Sequence, residues 1–348
     1  NYFYPDLPKG YQISQYETPI CESGMLEIEL PSGAKKIRLN RIHMEEDAGK
    51  NTHHSGYSLV NLNRAGTPLI EIVSEPDLRS SEEAGAYLRA LHAIVTYIGV
   101  CDGNMQEGNF RCDANVSVMP KGSTQFGTRV EIKNVNSFRF VEKAIEYEIA
   151  RQIQVVRGGG KVVQETRTYD SDKDLTISMR SKEEAHDYRY FPDPDLVPIR
   201  VDEALVARIK GTLPELPSQQ RQRFVSELGL SPYDAGVLTA SKSLADFFGA
   251  TLASAGPASA KAAANFLTGE ISRRLNEDGI TIDQSKLKPQ HLADILKLTS
   301  QNVISSTGAK QVINTVLKTG DAVDTIVERE GLKQVSDCLL YTSDAADE

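Results

Sequence analysis

The sequence predicts an α+β fold: a mostly antiparallel sheet with one polar face and helices behind it, followed by an all-α helical domain. Three observations predict it. Several segments alternate apolar and charged residues with a period of two, the pattern of strands that keep one face solvated. Two long segments between them carry apolar residues at helical spacing. From Pro214 onward the alternation stops, and helical stretches separated by Gly, Pro, Ser and Thr replace it. The sheet domain is therefore assigned to residues 1–213 and the helical domain to 214–337. Residues 338–348 (CLLYTSDAADE) do not continue the helical pattern and resemble sequencing-adapter read-through, so they are set aside as a non-native tail.

Composition narrows the class. The 348 residues are 40% hydrophobic and 25% charged, which is ordinary for a globular chain large enough for two domains. Cys21, Cys101, Cys112 and Cys338 have no metal-ligand spacing, and a reducing compartment is expected. No apolar run is long enough to span a membrane, so no membrane association and a cytoplasmic location are expected. A net charge of −9 argues against indiscriminate nucleic-acid binding but not against a local basic patch. The aromatic start, Asn1 to Asp6, has no initiator Met and reads as an N-terminal truncation.

Leu26 to Leu30 alternates, Pro31-Ser32-Gly33 signals a turn, and Lys36 to Glu46 returns as a second strand, predicting a hairpin. Asn40 to Lys50 then places His43, Glu45, Glu46 and Asp47 within five residues. Period two puts Arg41, His43, Glu45 and Asp47 on one face and Ile42, Met44 and Glu46 on the other. Either this is an edge strand with a solvated acidic end, or it is a cation or phosphate site. His53 to Gly56 reads as a polar loop. Leu69 to Val73 is aliphatic except for Glu71, which predicts a strand buried on both faces. Its carboxylate is either bridged to a buried Arg or a cation ligand.

Ser80 to Val100 is an amphipathic helix, with Ser81 as N-cap, Glu82 and Glu83 in the first turn, and a stripe through Tyr87, Leu88, Leu91, Ile94, Val95 and Ile98. His92 lies beside that stripe as a packing residue. Gln106 to Asn109 approaches the strand Arg111 to Val118. There Cys112, Ala114, Val116 and Val118 oppose Arg111, Asp113, Asn115 and Ser117. Thr128 to Val135 and Thr176 to Arg180 repeat the design. Ser137 to Val156 is the second helix, and Gly158-Gly159-Gly160 is a turn rather than a phosphate loop, since it follows a helix and lacks Gly-Lys-Ser/Thr. The prolines in 187–195 forbid regular structure, and that segment is expected to drape over the site or a sheet edge. Paired carboxylates with Arg and Lys on an open face suit a nucleoside triphosphate with Mg2+. Helices are expected at Pro217–Leu228, Ser241–Leu252, Ala258–Leu275, Pro289–Leu298 and Thr307–Leu317. On them Arg273, Arg274, Lys286, Lys288, Lys297, Lys310 and Lys318 are either ordinary solvated cations or a surface for RNA.

Several ordered stretches together carry a resemblance: 1–6 (NYFYPD), 11–14 (YQIS), 43–50 (HMEEDAGK), 63–64 with 66–77 (GTPLIEIVSEPD), 111–115 (RCDAN), 133–134 with 136–138, and 187–192 (DYRYFP). From Asn1 to about Asp337 the chain resembles the B-subunit family of the aspartyl/glutamyl-tRNA amidotransferases. The resemblance implies the catalytic sheet called the cradle, similar to glutamine synthetase and guanido kinases, followed by a helical domain that meets tRNA. It implies ATP-dependent phosphorylation of the carboxylate of Glu on tRNA-Gln, or of Asp on tRNA-Asn. Ammonia from a partner amidase then replaces the phosphate. Its partners would be the amidase, or A, subunit of a heterotrimer, the small C subunit and mischarged tRNA, with ATP and Mg2+ as cofactors. By position, Glu46 and Glu71 are the first metal candidates, with Glu107 and Asp113 behind them. Arg111, Lys133, Arg180 and Arg189 are candidates for phosphate or carboxylate contacts, and Lys50, Asn115, Asn134 and Tyr190 for nucleotide contacts. Two departures are expected: further metal ligands lie before this chain begins, and a C-terminal tail module is missing. A stand-alone small-molecule ligase and a non-catalytic RNA scaffold are the competing classes. The archaeal relative specific for Glu-tRNA would carry an inserted domain that is not seen here.

Overall fold

The computed structural model describes residues 2–181 and 191–334, without the side chains of Arg180 and Ser181. Two compact units divide it: Asn1–His92 with Cys101–Arg208, and Ala93–Val100 with Ile209–Glu348.

In the first unit, β1 (Cys21–Leu30) and β2 (Gly33–Glu46) form the hairpin the alternation predicts, with Leu26 opposite Ile37. The turn is tight, and Gly33 takes φ 118°, a conformation that favours glycine. Ile28 and Ile37 from this hairpin pack with Tyr87 and Leu91 of α1 (Ser81–Tyr97). The other stripe residues Ala84 and Leu88 join a second cluster with Val116, Ile132, Val141, Ala144 and Ile145. One amphipathic helix thus backs two sheets. Its N-cap is Ser80 rather than the expected Ser81, because the Ser80 hydroxyl accepts the Glu83 amide at 3.1 Å.

The single sheet expected from the alternation is divided. The first sheet has the order β1-β2-β5, with β5 (Pro68–Ser74) antiparallel to β2. Its aliphatic run predicts burial on both faces, yet β5 is an edge strand of this sheet and Ile70 is 39% exposed. A continuous apolar run reports hydrophobicity, not which sheet position the strand occupies. Residues 50–61, expected in part as a polar loop, form a second hairpin, β3 (Lys50–His54) and β4 (Tyr57–Asn61). Gly56 at φ 86° makes its turn, and the His54 ring stacks on Tyr57 at 4.9 Å.

The other large sheet runs β6 (Cys112–Val116), β7 (Val130–Val135), β8 (Glu165–Asp170), β9 (Leu175–Ser181). β7 and β8 are parallel, contrary to a purely hairpin-built design. The reason is connectivity: α2 (Phe138–Arg157) crosses between them, which a parallel pair requires. Ser137 caps α2 through the Phe140 amide, and Gly158 follows as its C-cap, so the glycine run is the turn expected. β8 has too little apolar alternation to be found from sequence; only Tyr169 in it is buried. Segment 191–200 is irregular, as its prolines require, while 187–190, including Arg189 and Tyr190, lie outside the described residues.

The second unit is helical. Beyond α3 (Glu203–Thr212), which bridges the division, come α4 (Pro217–Ser226), α5 (Pro232–Leu238) and α6 (Lys242–Ala255). α7 (Ala260–Phe266) and α8 (Ser272–Asp278) follow, then α9 (Pro289–Ser300), α10 (Ser306–Thr319) and α11 (Val323–Arg329). The expected helix 258–275 is present but contains a π-helical turn at Leu267–Ile271. Ala260, Ala263 and Ala264 are fully buried, which is the close packing their small side chains suggest.

Asp77 fixes the approach to α1: it accepts the backbone amide of Arg38 at 3.0 Å and both arms of its guanidinium at 2.9 and 2.6 Å. Those hydrogen bonds hold the Asp77 carboxyl well below its usual range. Such a depressed group stabilises the fold above its unfolded value of about 3.8 and loses that contribution as the pH falls through the folded value. Acid unfolding followed by circular dichroism is expected to show Asp77→Asn less stable than the parent at pH 7, with the gap closing below about pH 4.

Candidate cation and phosphate site

β2 outruns β1 at its C-terminal end, and residues 12–15 take the vacated edge. The Gln15 amide donates to Met44 at 3.0 Å, and the Glu46 amide donates to Ile13 at 3.2 Å. This segment also holds the acids: Ser14 Oγ donates to Glu45 Oε1 at 2.9 Å and Gln12 Nε2 to Glu45 Oε2 at 3.3 Å. On the other side of β2, His43 stands directly opposite Glu71 of β5. Opposed residues of an antiparallel pair share a face, so His43, Glu45 and Glu71 come together. His43 Nε2 lies 3.0 Å from Glu45 Oε1 and 3.2 Å from Glu71 Oε2. One ligand atom from each of the three falls within 4.8 Å of the others. Burial is graded: His43 is 0% exposed, the Glu45 side chain 19% and the Glu71 side chain 53%. The Tyr16 ring meets the imidazole edge-on at 6.3 Å, and Arg41 lies over Tyr16 at 4.6 Å.

Two carboxylates and an imidazole at this separation suit a divalent cation, with the exposed Glu71 side leaving room for water or phosphate oxygens. The buried His43 Nδ1 has no hydrogen-bond partner among the described residues. The polar contacts of this buried ring are therefore those of Nε2, with Glu45 and Glu71.

The expected metal set does not assemble as a group. Glu71 is in the cluster. Glu46 is on the opposite face, ion-paired with Lys9 and accepting the Ile13 amide at 2.8 Å. The parity that puts Glu46 opposite His43 also separates it from Glu71. Glu107 is exposed in a loop, with its amide donating to Asn104 Oδ1 at 3.1 Å. Asp113 faces Lys133 at 2.9 Å. The cluster that does form joins Glu71 with His43 and Glu45 instead. Their shared face was legible from period two, whereas their register with Glu71 was not.

The second sheet carries a mixed-charge face. Lys133 lies 2.9 Å from Asp113 and 3.4 Å from Glu131, with Asn115 opposite Glu131 in register. Burial works against the Lys133 charge, but the two carboxylates outweigh it and raise its pKa. It stays an ammonium. The register between β6 and β7 slips here, and Asn134 takes φ 61°, marking a bulge that re-aims the strand. Asn134 Nδ2 reaches Thr168 Oγ1 at 3.4 Å. Lys50 is exposed at the start of β3, and Arg180 is described only as backbone of β9, opposite Thr166.

A contact that the alternation gives no hint of joins the end of β2 to the start of β6. Asp47, 7% exposed, lies between Arg111 Nη2 at 2.9 Å and Arg64 Nη2 at 3.1 Å. Arg64 also donates to the carbonyls of Glu107 and Gly108 at 2.8 and 3.0 Å.

In the helical unit, a cleft of about 460 Å³ is lined by Arg273, Arg274, Lys310, Lys318, Glu270 and Glu330, among others. Arg273 and Arg274 are both paired with Glu270 and Glu277, so much of their charge is compensated locally.

Residues 1–207 match the family of GatB/GatE catalytic domains, and residues 246–340 match the GatB domain family. A protein of Trichlorobacter lovleyi, named as the B subunit of aspartyl/glutamyl-tRNA(Asn/Gln) amidotransferase, is 58% identical over 331 residues, covering 95% of this chain and 69% of that protein. Proteins of the same name from Burkholderia pseudomallei and Halorhodospira halophila are 55% and 57% identical, with 94% and 95% of this chain covered and 70% and 69% of theirs.

Calorimetric titration with Mn2+ tests the cluster. His43→Ala, Glu45→Gln and Glu71→Gln are each expected to weaken binding about tenfold or more, and Asp113→Asn less than about twofold. An equal loss for Asp113→Asn would place the ion on the second sheet instead.

Proposed function

The chain belongs to the GatB family of amidotransferase subunits, and from that premise we propose that it is the kinase and transamidase subunit of a tRNA-dependent amidotransferase. The first unit serves as an ATP-using cradle of the glutamine synthetase and guanido kinase type. The helical unit meets the mischarged tRNA, with Lys310 and Lys318 at its cleft. The amidase, or A, subunit and the small C subunit complete a cytoplasmic heterotrimer, and the amidase supplies ammonia.

The observation that carries this reading is the His43, Glu45, Glu71 cluster in the same unit as the Lys133 face. Phosphoryl transfer asks a protein mostly for positioning and for charge on the phosphate oxygens. In the proposed reaction the side-chain carboxylate of Glu or Asp on tRNA attacks the γ-phosphate of ATP, releasing ADP and leaving an acyl phosphate. Ammonia then adds to the acyl carbon, and phosphate leaves with the bonding pair. A divalent cation such as Mg2+ at the cluster would neutralise phosphate oxygens. Glu45, Glu71 and His43 would hold it, and Lys133 offers an ammonium to the phosphate or carboxylate. Arg111 offers a guanidinium, whose fork matches either group. Arg180 and Arg189 belong to the same proposed role, and Lys50, Asn115, Asn134 and Tyr190 to nucleotide binding. Glu46, Glu107 and Asp113 are proposed as supports of that site rather than as the first ligands.

Reconstitution of the full-length protein with its amidase partner tests this. Conversion of Glu-tRNA or Asp-tRNA that depends on both ATP and glutamine is expected, with Glu71→Gln lowering kcat about 100-fold or more. Failure to convert either tRNA would exclude the reading. ATP turnover that needs neither tRNA nor amidase would favour a stand-alone ligase.

A further inference from the structure

Arg111 is held in an unusual way for a residue offered to a ligand. It stands immediately before β6, and its side chain is 58% exposed. Yet one edge of its guanidinium is fixed by the almost fully buried Asp47, through Nη2 at 2.9 Å. The second carboxylate oxygen of Asp47 binds Arg64 at 3.1 Å.

The backbone around Asp47 is equally tied. Its amide donates to the Thr67 carbonyl and its carbonyl accepts the Gly66 amide, both at 2.8 Å. Gly66 takes φ 78°, so the loop 63–67 turns tightly around this one carboxylate. From that loop Arg64 reaches the Glu107 and Gly108 carbonyls, and thereby pins the segment that leads into Arg111. A Cβ at Gly108 would come within 3.1 Å of Arg64 Nη1, so the approach is close.

A buried carboxylate is stable only when paired. Here the pairing is two arginines against one acid, which leaves one positive charge in excess. Among the described residues Asp47 is the one hydrogen-bond partner of the Arg111 guanidinium, whose side chain is 58% exposed.

We propose that Asp47 is a positioning residue for Arg111: with Arg64 it forms a clamp around one buried carboxylate that fixes the 104–110 loop and aims the guanidinium at the anionic group of the substrate. The proposal rests on the reading of Arg111 as a phosphate or carboxylate contact. It goes beyond that reading by assigning the direction of the Arg111 side chain to two residues that do not themselves touch substrate. Arg64 anchors the loop from one side and Asp47 sets the guanidinium from the other. A guanidinium held by one edge loses little freedom when its other edge meets an oxyanion.

The test uses the full-length protein assembled with its partners, and follows kcat and the KM for ATP. Asp47→Asn keeps the shape and removes the charge. It is expected to raise KM about tenfold and lower kcat, because a misplaced contact costs orientation. Asp47→Glu, which keeps the ion pair, is expected to recover most of kcat/KM. In a double-mutant cycle, Asp47→Asn is expected to add less than about twofold on top of Arg111→Ala, since it acts through that residue. Additive losses, or wild-type kinetics in Asp47→Asn with an impaired Arg111→Ala, would overturn the proposal. Wild-type kinetics in Arg111→Ala would overturn the reading of Arg111 beneath it. Should Asp47→Asn not fold, Arg64→Gln carries the test: it leaves Asp47 paired with Arg111 and releases the loop together with the second oxygen of Asp47. It is expected to raise KM severalfold, and unchanged kinetics there would overturn the clamp.

Discussion

The pairing of Asp47 with Arg64 and Arg111 is the constraint on which the first unit depends. It joins three pieces of chain distant in sequence: the end of β2, the loop before β5 and the start of β6. The Asp47 carboxylate is almost fully buried, so it needs these partners, while both arginines keep part of their side chains in solvent. Neither sheet supplies this join by itself. Their apolar faces share α1, but apolar packing is non-directional and sets no angle between polar groups. The carboxylate does, since each oxygen accepts one guanidinium at a fixed geometry.

A second constraint is the wholly buried His43. Its Nε2 meets two acids, and Glu45 is held from behind by Gln12 and Ser14. Side-chain atoms this close, on two strands in register, are positioned by the backbone pairing itself. The open Glu71 side gives access to the cluster. On the neighbouring sheet, the bulge at Asn134 and the ion pairs around Lys133 maintain a cation that burial alone would have discouraged. In the proposed function the acids of the first sheet are the metal candidates, and the cations of the second are the candidates for oxyanion contacts.

How much was legible follows the kind of signal. The β1–β2 hairpin was found because its alternation and its turn both lie within one short stretch. α1 and α2 were found because a stripe at helical spacing over many residues has few alternatives. β8 was missed because five of its six residues, all but Tyr169, are not buried, and such a strand leaves no pattern. α5 and α11 were missed as well, each being seven residues long and too short to show a full stripe. β5 was found, but its position at a sheet edge was not, since an apolar run does not say how many neighbours a strand has.

In the site, the sequence by itself determined which residues share a face within one strand. His43 and Glu45 on one side of β2, and Glu46 on the other, follow from a period of two. It also placed the family, because several ordered motifs are carried at once and most of the chain aligns. Only the tertiary structure decided which strands meet and in which register. That put Glu71 opposite His43, turned Glu46 toward Lys9, and brought Asp47 to two arginines. The physical reason is range: side-chain parity is a local property of the backbone, whereas pairing across strands is settled by packing and charge over the whole unit.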